Sequence, residues 1–230
     1  MAPTLAQIAK MIDHSLLQPT LTDKELQQGC ELAHSYNVAS VCIKPYAVHD
    51  AVRWLKGSTV AVGTVVGFPQ GGVGTISKVD ESRLALAAGA SELDMVVNIG
   101  KVLSHDWSYV EEDIARVLET AHAAGAKVKV IFENCFLQDE HKQKLCEICG
   151  RLRVDWIKTS TGYGESGATD HDLVLMRRCA PDHVQIKAAG GVRTYERLLA
   201  VRGLGVTRIG ATATKSILDD CQRAILARPA

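Results

Sequence analysis

Short apolar, often β-branched runs alternate along this chain with longer stretches in which apolar positions recur at helical spacing. The short runs fall at Met11–Leu17, Ala39–Lys44, Val60–Gly67, Glu92–Asn98, Lys127–Glu133, Trp156–Thr161, Val184–Ala189 and Thr207–Ala211. Each predicts a strand, the first being the least regular. Between them, helices are predicted over Asp23–Tyr36, Gly74–Ala88, Trp107–Ala124, Asp139–Leu152, His171–Cys179 and Tyr195–Val201. Thr22 stands three residues before Glu25, a capping box in which hydroxyl and carboxylate satisfy each other's first-turn amides; Thr194, three before Arg197, offers the hydroxyl alone. Gly89 and Gly125 sit where a left-handed residue would close a helix.

Strands separated by helices pair in parallel, because the chain must cross back over the sheet before the next strand begins. Eight such units in 230 residues predict an α/β single-domain (β/α)8 TIM barrel over residues 1–230, with a short N-terminal helix. A doubly wound open sheet is the alternative, but no G-x-G-x-x-G follows the first good strand to support it.

Composition narrows the partners. The chain has 26 basic and 26 acidic residues, so no cationic excess attracts nucleic acid or a membrane surface. No apolar run is long enough to span a bilayer, and the N-terminus lacks a basic segment followed by an apolar one. Seven scattered cysteines are odd in number and suit a reduced cytoplasm. Cys146 and Cys149 form a lone C-x-x-C without a second pair or nearby histidines, which reads as two small residues on a helix; no metal site is expected.

Charged residues inside strand runs are the informative ones, because chemistry in such barrels lies at the C-terminal strand ends. Asp94 in SELDMVVNIG, Lys158 in VDWIKTSTGYG and Lys187 in VQIKAAGGVR stand out. Strand alternation places Glu92, Asp94, Val96 and Asn98 on one face, as it does Trp156, Lys158 and Ser160, and also Gln185, Lys187 and Ala189. If these faces point inward, two amines and a carboxylate converge. Burial and a neighbouring cation would then lower one amine's pKa for attack on a carbonyl. A structural ion pair is the competing reading. Glycine-bearing loops follow the last three strands (Gly162 and Gly164, Gly190 and Gly191, Gly210) and either cradle an anion through backbone amides or permit tight turns.

Taken together, IDHSLL, SVCIKPYAV, VGFPQGG, ELDMVVNIG, YVEEDI, KVIFENC, IKTSTGYG, KAAGGVRT and RIGAT resemble the deoxyribose-phosphate aldolase family from about Ile12 to Thr212. The resemblance implies a class I aldolase that reversibly cleaves 2-deoxy-D-ribose 5-phosphate to acetaldehyde and D-glyceraldehyde 3-phosphate without a cofactor. It implies Lys158 as the Schiff-base lysine, with Lys187 and Asp94 moving protons. Asp13, Ser15, Cys42 and Thr161 would line the substrate pocket. Gly162, Gly190, Gly191, Val192, Arg193, Gly210 and Thr212 would hold the phosphate. Homo-oligomerisation, most simply as a dimer, is also expected.

Three departures from the family pattern stand out. Gly210-Ala211-Thr212-Ala213-Thr214 replaces a serine pair, leaving one hydroxyl on Thr212 and none at Ala213. Lys44 occupies a position that is usually neutral and is expected to extend into solvent, with binding of an acidic group as the alternative. No tyrosine follows Tyr195. A different aldehyde acceptor or sugar, a non-covalent isomerase with Glu133 as base, and a silent sugar-phosphate binder therefore stay open beside the aldolase.

Overall fold

In the computed structural model, which describes residues 3–227, all eight expected strands form. They are β1 (Ile12–Leu16), β2 (Ser40–Ile43), β3 (Ala61–Val66), β4 (Glu92–Val96), β5 (Lys127–Ile131), β6 (Trp156–Lys158), β7 (Gln185–Ala189) and β8 (Arg208–Ala211). They pair in parallel in sequence order and close into a barrel, with β8 against β1. The open-sheet alternative is thereby excluded.

The helices are α1 (Leu5–Ala9), α2 (Asp23–Ser35), α3 (Val48–Trp54), α4 (Thr75–Ala87), α5 (Ile99–Leu103), α6 (Trp107–Ala123), α7 (Asp139–Leu152), α8 (Asp170–Cys179), α9 (Tyr195–Gly203) and α10 (Thr214–Leu226). The N-terminal helix and the Thr22–Glu25 capping box are present, and Gly89 and Gly125 adopt positive φ. Helices α3, α5 and α10 lie outside the helical stretches predicted from periodicity. For α10 the signal was readable: Ile217, Leu218 and Cys221 recur at helical spacing and are buried.

Strand β6 ends at Lys158 rather than at Thr161. Thr159 puts its side chain where the ladder would continue: its hydroxyl donates to Ala189 O (3.2 Å) and accepts from Ala189 N (3.1 Å). A side chain that can satisfy a neighbouring strand's backbone competes with regular pairing.

The apolar core lies between sheet and helices. Leu93 and Met95 on β4, Val128 and Val130 on β5, Ile157 on β6 and Ile186 on β7 are all fully buried members of it. Because side chains alternate across a strand, the intervening residues point into the barrel. A second buried polar link lies outside: Lys78 on α4 reaches Asp113 on α6 (2.5 Å) and Val96 O at the end of β4 (2.8 Å).

His14 on β1 points away from the barrel interior and joins its Nδ1 to Thr214 Oγ1 at the start of α10 (2.8 Å). Burial pushes the imidazole down to about 4, against the smaller opposing effect of a hydrogen bond to the Ala211 backbone. The unfolded chain therefore takes up a proton near pH 6.5 that the folded chain refuses until about pH 4. Stability is fully present above pH 6.5 and declines as pH falls between these values, by up to about 3 kcal/mol. Urea unfolding at pH 7 and pH 4.5 should show a larger acid loss for the native chain than for His14→Asn; equal losses would contradict the assignment.

Candidate active site

Register brings the interior charges together. Lys187 pairs with Lys158 on one side and Arg208 on the other, and Asp94 lies opposite Lys129. Asp94 Oδ2 accepts from Lys158 Nζ (2.8 Å) and Lys187 Nζ (2.7 Å), while Oδ1 accepts from Lys129 Nζ (2.8 Å). Asp13 Oδ2 lies 2.6 Å from Lys187 Nζ, and Oδ1 accepts from Ser40 Oγ (2.6 Å) and Arg208 Nη1 (2.5 Å). Glu92 closes the layer below, 2.6 Å from Lys129 Nζ and 3.2 Å from Arg208 Nη1. The Arg208 guanidinium stacks over the Trp156 ring at 4.8 Å.

These contacts shift the groups in opposite directions. Burial alone would raise the Asp94 carboxyl, but Lys129, Lys158 and Lys187 hold it well below the usual carboxylate range. Burial would lower Lys129 and Lys187, yet their flanking carboxylates raise both. Lys158 is the exception: burial, helped by the Lys187 charge, outweighs Asp94 and lowers it. Lys158 thus has the most accessible neutral amine of the three interior lysines. Burial and the Asp94 charge push the Cys42 thiol up to about 11, so it stays protonated.

A cavity of about 370 Å³ opens above this layer at the C-terminal ends of the strands. Lys158 and Lys187 form part of its lining, as do Asp13, Ser15, Cys42, Thr161, Gly162, Gly190, Gly191, Val192, Arg193, Gly210 and Thr212. Every residue expected at the site except Asp94 therefore reaches the cavity. Asp94 lies beneath, fully buried, and touches the lysines of the cavity floor. Gly190 and Gly191 have positive φ, which leaves their amides in a turn that a branched residue would strain. The neighbouring loop packs so tightly that a Cβ on Gly167 would lie 2.4 Å from the Gly190 carbonyl carbon.

Lys44 does not extend freely into solvent as expected. Its ammonium donates to the carbonyls of Pro19 (3.2 Å) and Leu21 (2.9 Å), clasping the β1–α2 loop. Tyr163 holds the same loop from the other side, donating its hydroxyl to Leu17 O (2.9 Å) with its ring edge-on to Phe68. Leu17, Gln18, Pro19, Thr20 and Tyr163 also line the cavity, a wall formed by loops that no strand pattern singles out. Glu133 is buried and engaged: it accepts the Thr161 amide (3.2 Å) and the Thr161 hydroxyl. It does not line the cavity, which removes support from a carboxylate-base isomerase. Lys129 and Arg208 were not singled out in the sequence, although a lysine at the centre of Lys-Val-Lys-Val-Ile is the same signal that marked Lys158 and Lys187.

Elsewhere, Cys146 and Cys149 are buried on α7, their thiols pushed up, as two small helix residues should be. His105, Glu140 and His141 bring possible ligand atoms within 4.8 Å of one another. However, His141 Nδ1 accepts the Gln138 amide (3.1 Å), which leaves the proton of its neutral ring on Nε2, facing His105 Nε2 at 3.4 Å. A metal there would need that proton removed.

The model of the DeoC/LacD family of aldolases matches residues 7–221. A deoxyribose-phosphate aldolase of Rhodopirellula baltica is 54% identical over 94% of this chain and 90% of its own length. One of Aciduliprofundum boonei is 43% identical over 93% of this chain and 96% of its own. The solved structure of deoxyribose phosphate aldolase from Aeropyrum pernix, described as a unique tetramer, superposes with a TM-score of 0.89 at 26% identity, covering 96% of this chain and 93% of that one. With its interior lysines at the floor of a glycine-rimmed cavity and these relatives spanning nearly its whole length, the chain belongs to the DeoC/LacD aldolase family.

Proposed function

We propose that the chain, as one catalytic domain over residues 1–230, is a deoxyribose-phosphate aldolase working through a Schiff base on Lys158. The observation that carries this reading is the Lys158 amine at the cavity floor, sharing one Asp94 oxygen with Lys187. In the cleavage direction the neutral amine attacks the aldehyde carbon of open-chain 2-deoxy-D-ribose 5-phosphate, and loss of water gives a protonated imine. Removal of the C3 hydroxyl proton then lets the C2–C3 bond break. Its electrons pass to the iminium nitrogen, releasing D-glyceraldehyde 3-phosphate and leaving an enamine. Protonation at C2 and hydrolysis release acetaldehyde and restore Lys158. Lys187, an ammonium bridging Asp13 and Asp94 at the cavity, is assigned to these proton transfers as a relay with Asp94, handing a proton to Asp94 as it takes the C3 hydroxyl proton and returning it at C2.

The phosphate is assigned to the Gly162, Gly190–Gly191 and Gly210 turns, with Val192, Arg193 and Thr212 at the same rim. Asp13, Ser15, Cys42 and Thr161 are assigned to the sugar end. With Glu133 committed to Thr161, the isomerase reading loses the base named for it, and the silent binder would leave the lowered Lys158 unused. Among the described residues no helix is long and apolar enough to cross a membrane. The cysteines carry no disulfide, which supports a cytoplasmic setting. A homodimer is proposed, its apolar surface supplied by Ile76 and Leu84 on α4, which are 78% and 73% exposed.

Incubation with acetaldehyde and borohydride should leave an ethyl group on Lys158 by peptide mapping, and Lys158→Leu should lose turnover by roughly 10⁴-fold or more with the fold intact. An unmodified protein, or an active variant, would overturn the Schiff-base reading. Thr212→Ala should raise KM for the phosphorylated sugar roughly tenfold while leaving unphosphorylated 2-deoxyribose unchanged, as loss of one hydrogen bond to a charged group requires. Light scattering of the native chain should give twice the 24.8 kDa chain mass, and Leu84→Glu should reduce it to a monomer.

A further inference from the structure

The barrel interior does not balance its charges if every group is ionised. Four cations (Lys129, Lys158, Lys187 and Arg208) face three carboxylates (Asp13, Glu92 and Asp94). The cations are also unequally served. Lys129 lies within 2.8 Å of both Glu92 and Asp94, Lys187 within 2.7 Å of both Asp13 and Asp94, and Arg208 within 3.2 Å of both Asp13 and Glu92. Lys158 has Asp94 alone, on the oxygen it shares with Lys187.

Resting on the Schiff-base reading of Lys158, we propose that Lys129 is the positioning residue that sets the proton occupancy of the nucleophile. By saturating Glu92 and the far oxygen of Asp94, it leaves one ammonium in the layer without a carboxylate of its own, and that ammonium is Lys158. Lys129 is 1% exposed and is absent from the cavity lining, so it touches no substrate. Its action is electrostatic.

The groups facing Lys158 account for the whole balance. Asp13 comes from β1, Glu92 and Asp94 from β4, Lys129 from β5, Lys187 from β7 and Arg208 from β8. Cys42 from β2 is a protonated thiol and adds no charge. Strand β3 brings no titratable side chain. Removing Lys129 leaves three cations and three carboxylates, and Lys158 then keeps its proton to higher pH. Removing Glu92 has the opposite sign, because four cations then face two carboxylates. Removing both restores an excess of one.

The test is the pH dependence of borohydride trapping with acetaldehyde, read by intact mass on the native chain, Lys129→Met, Glu92→Gln and the double variant, with circular dichroism on each. Lys129→Met should move the trapping midpoint up by about one pH unit, roughly a tenfold slower adduct at pH values below both midpoints. Glu92→Gln should move it down, and the double variant should return towards the native value. Coincident midpoints in the native chain and both single variants would overturn the inference while leaving Lys158 as the nucleophile. A double variant that stays at the Lys129→Met midpoint would do the same. No adduct on the native chain at any pH would instead overturn the Schiff-base reading beneath it.

Discussion

Seven charged side chains are held inside the barrel, and the rest of the molecule is organised around that burden. Each ion removed from water costs several kcal/mol unless an opposite charge and further hydrogen bonds replace its hydration. The replacement is nearly complete: Asp94 contacts three lysines, Asp13 contacts Ser40, Lys187, Arg208 and, at 3.5 Å, Lys129, and Glu92 spans Lys129 and Arg208. A barrel interior is ordinarily filled by branched aliphatic residues. Here charged residues occupy much of the inward face, with Val96 and Ile131 among its few aliphatics, and the helix-covered outward faces carry most of the hydrophobic stabilisation.

Unequal compensation gives the site its chemistry. A lysine with two carboxylates is a fixed cation, whereas a lysine with half of one is poised to lose its proton. Lys129 and Lys187 are of the first kind and Lys158 is of the second. The same side chain thus serves as scaffold on one strand and, in the proposed mechanism, as nucleophile on another, the difference being where the carboxylates sit. Above this layer the glycine turns after β6, β7 and β8 supply amides, while the β1–α2 loop, fastened by Lys44 and Tyr163, closes the facing wall. In the proposed mechanism rigid strands carry the reacting groups and the loops carry recognition, the usual division in this architecture.

Much of this was legible in the sequence. Alternation of short β-branched runs with helical stretches placed the strands to within a few residues, because parallel pairing demands that rhythm. Asp94, Lys158 and Lys187 were visible as charges in otherwise apolar strands. Lys129 carries the same mark, but local composition does not say which charged strand residues share a site. The early end of β6 was not legible: Thr159 replaces backbone pairing with its side chain only because Ala189 lies beside it. Nor was the fate of Lys44, whose partners are carbonyls of a loop with no regular structure.

The sequence by itself determined which residues are strand, which are helix and which strands carry charge, since periodicity and local composition act over a few neighbours. Only the tertiary structure decided which charges meet. Lys158 and Lys187 reach Asp94 across 64 and 93 residues of chain, and closure of β8 on β1 brings Arg208 to Asp13 across 195. One residue of slip in any strand would turn its charge outward. The count of charges is written in the chain, but their pairing, and so the identity of the lysine left short of a carboxylate, is a property of register and closure.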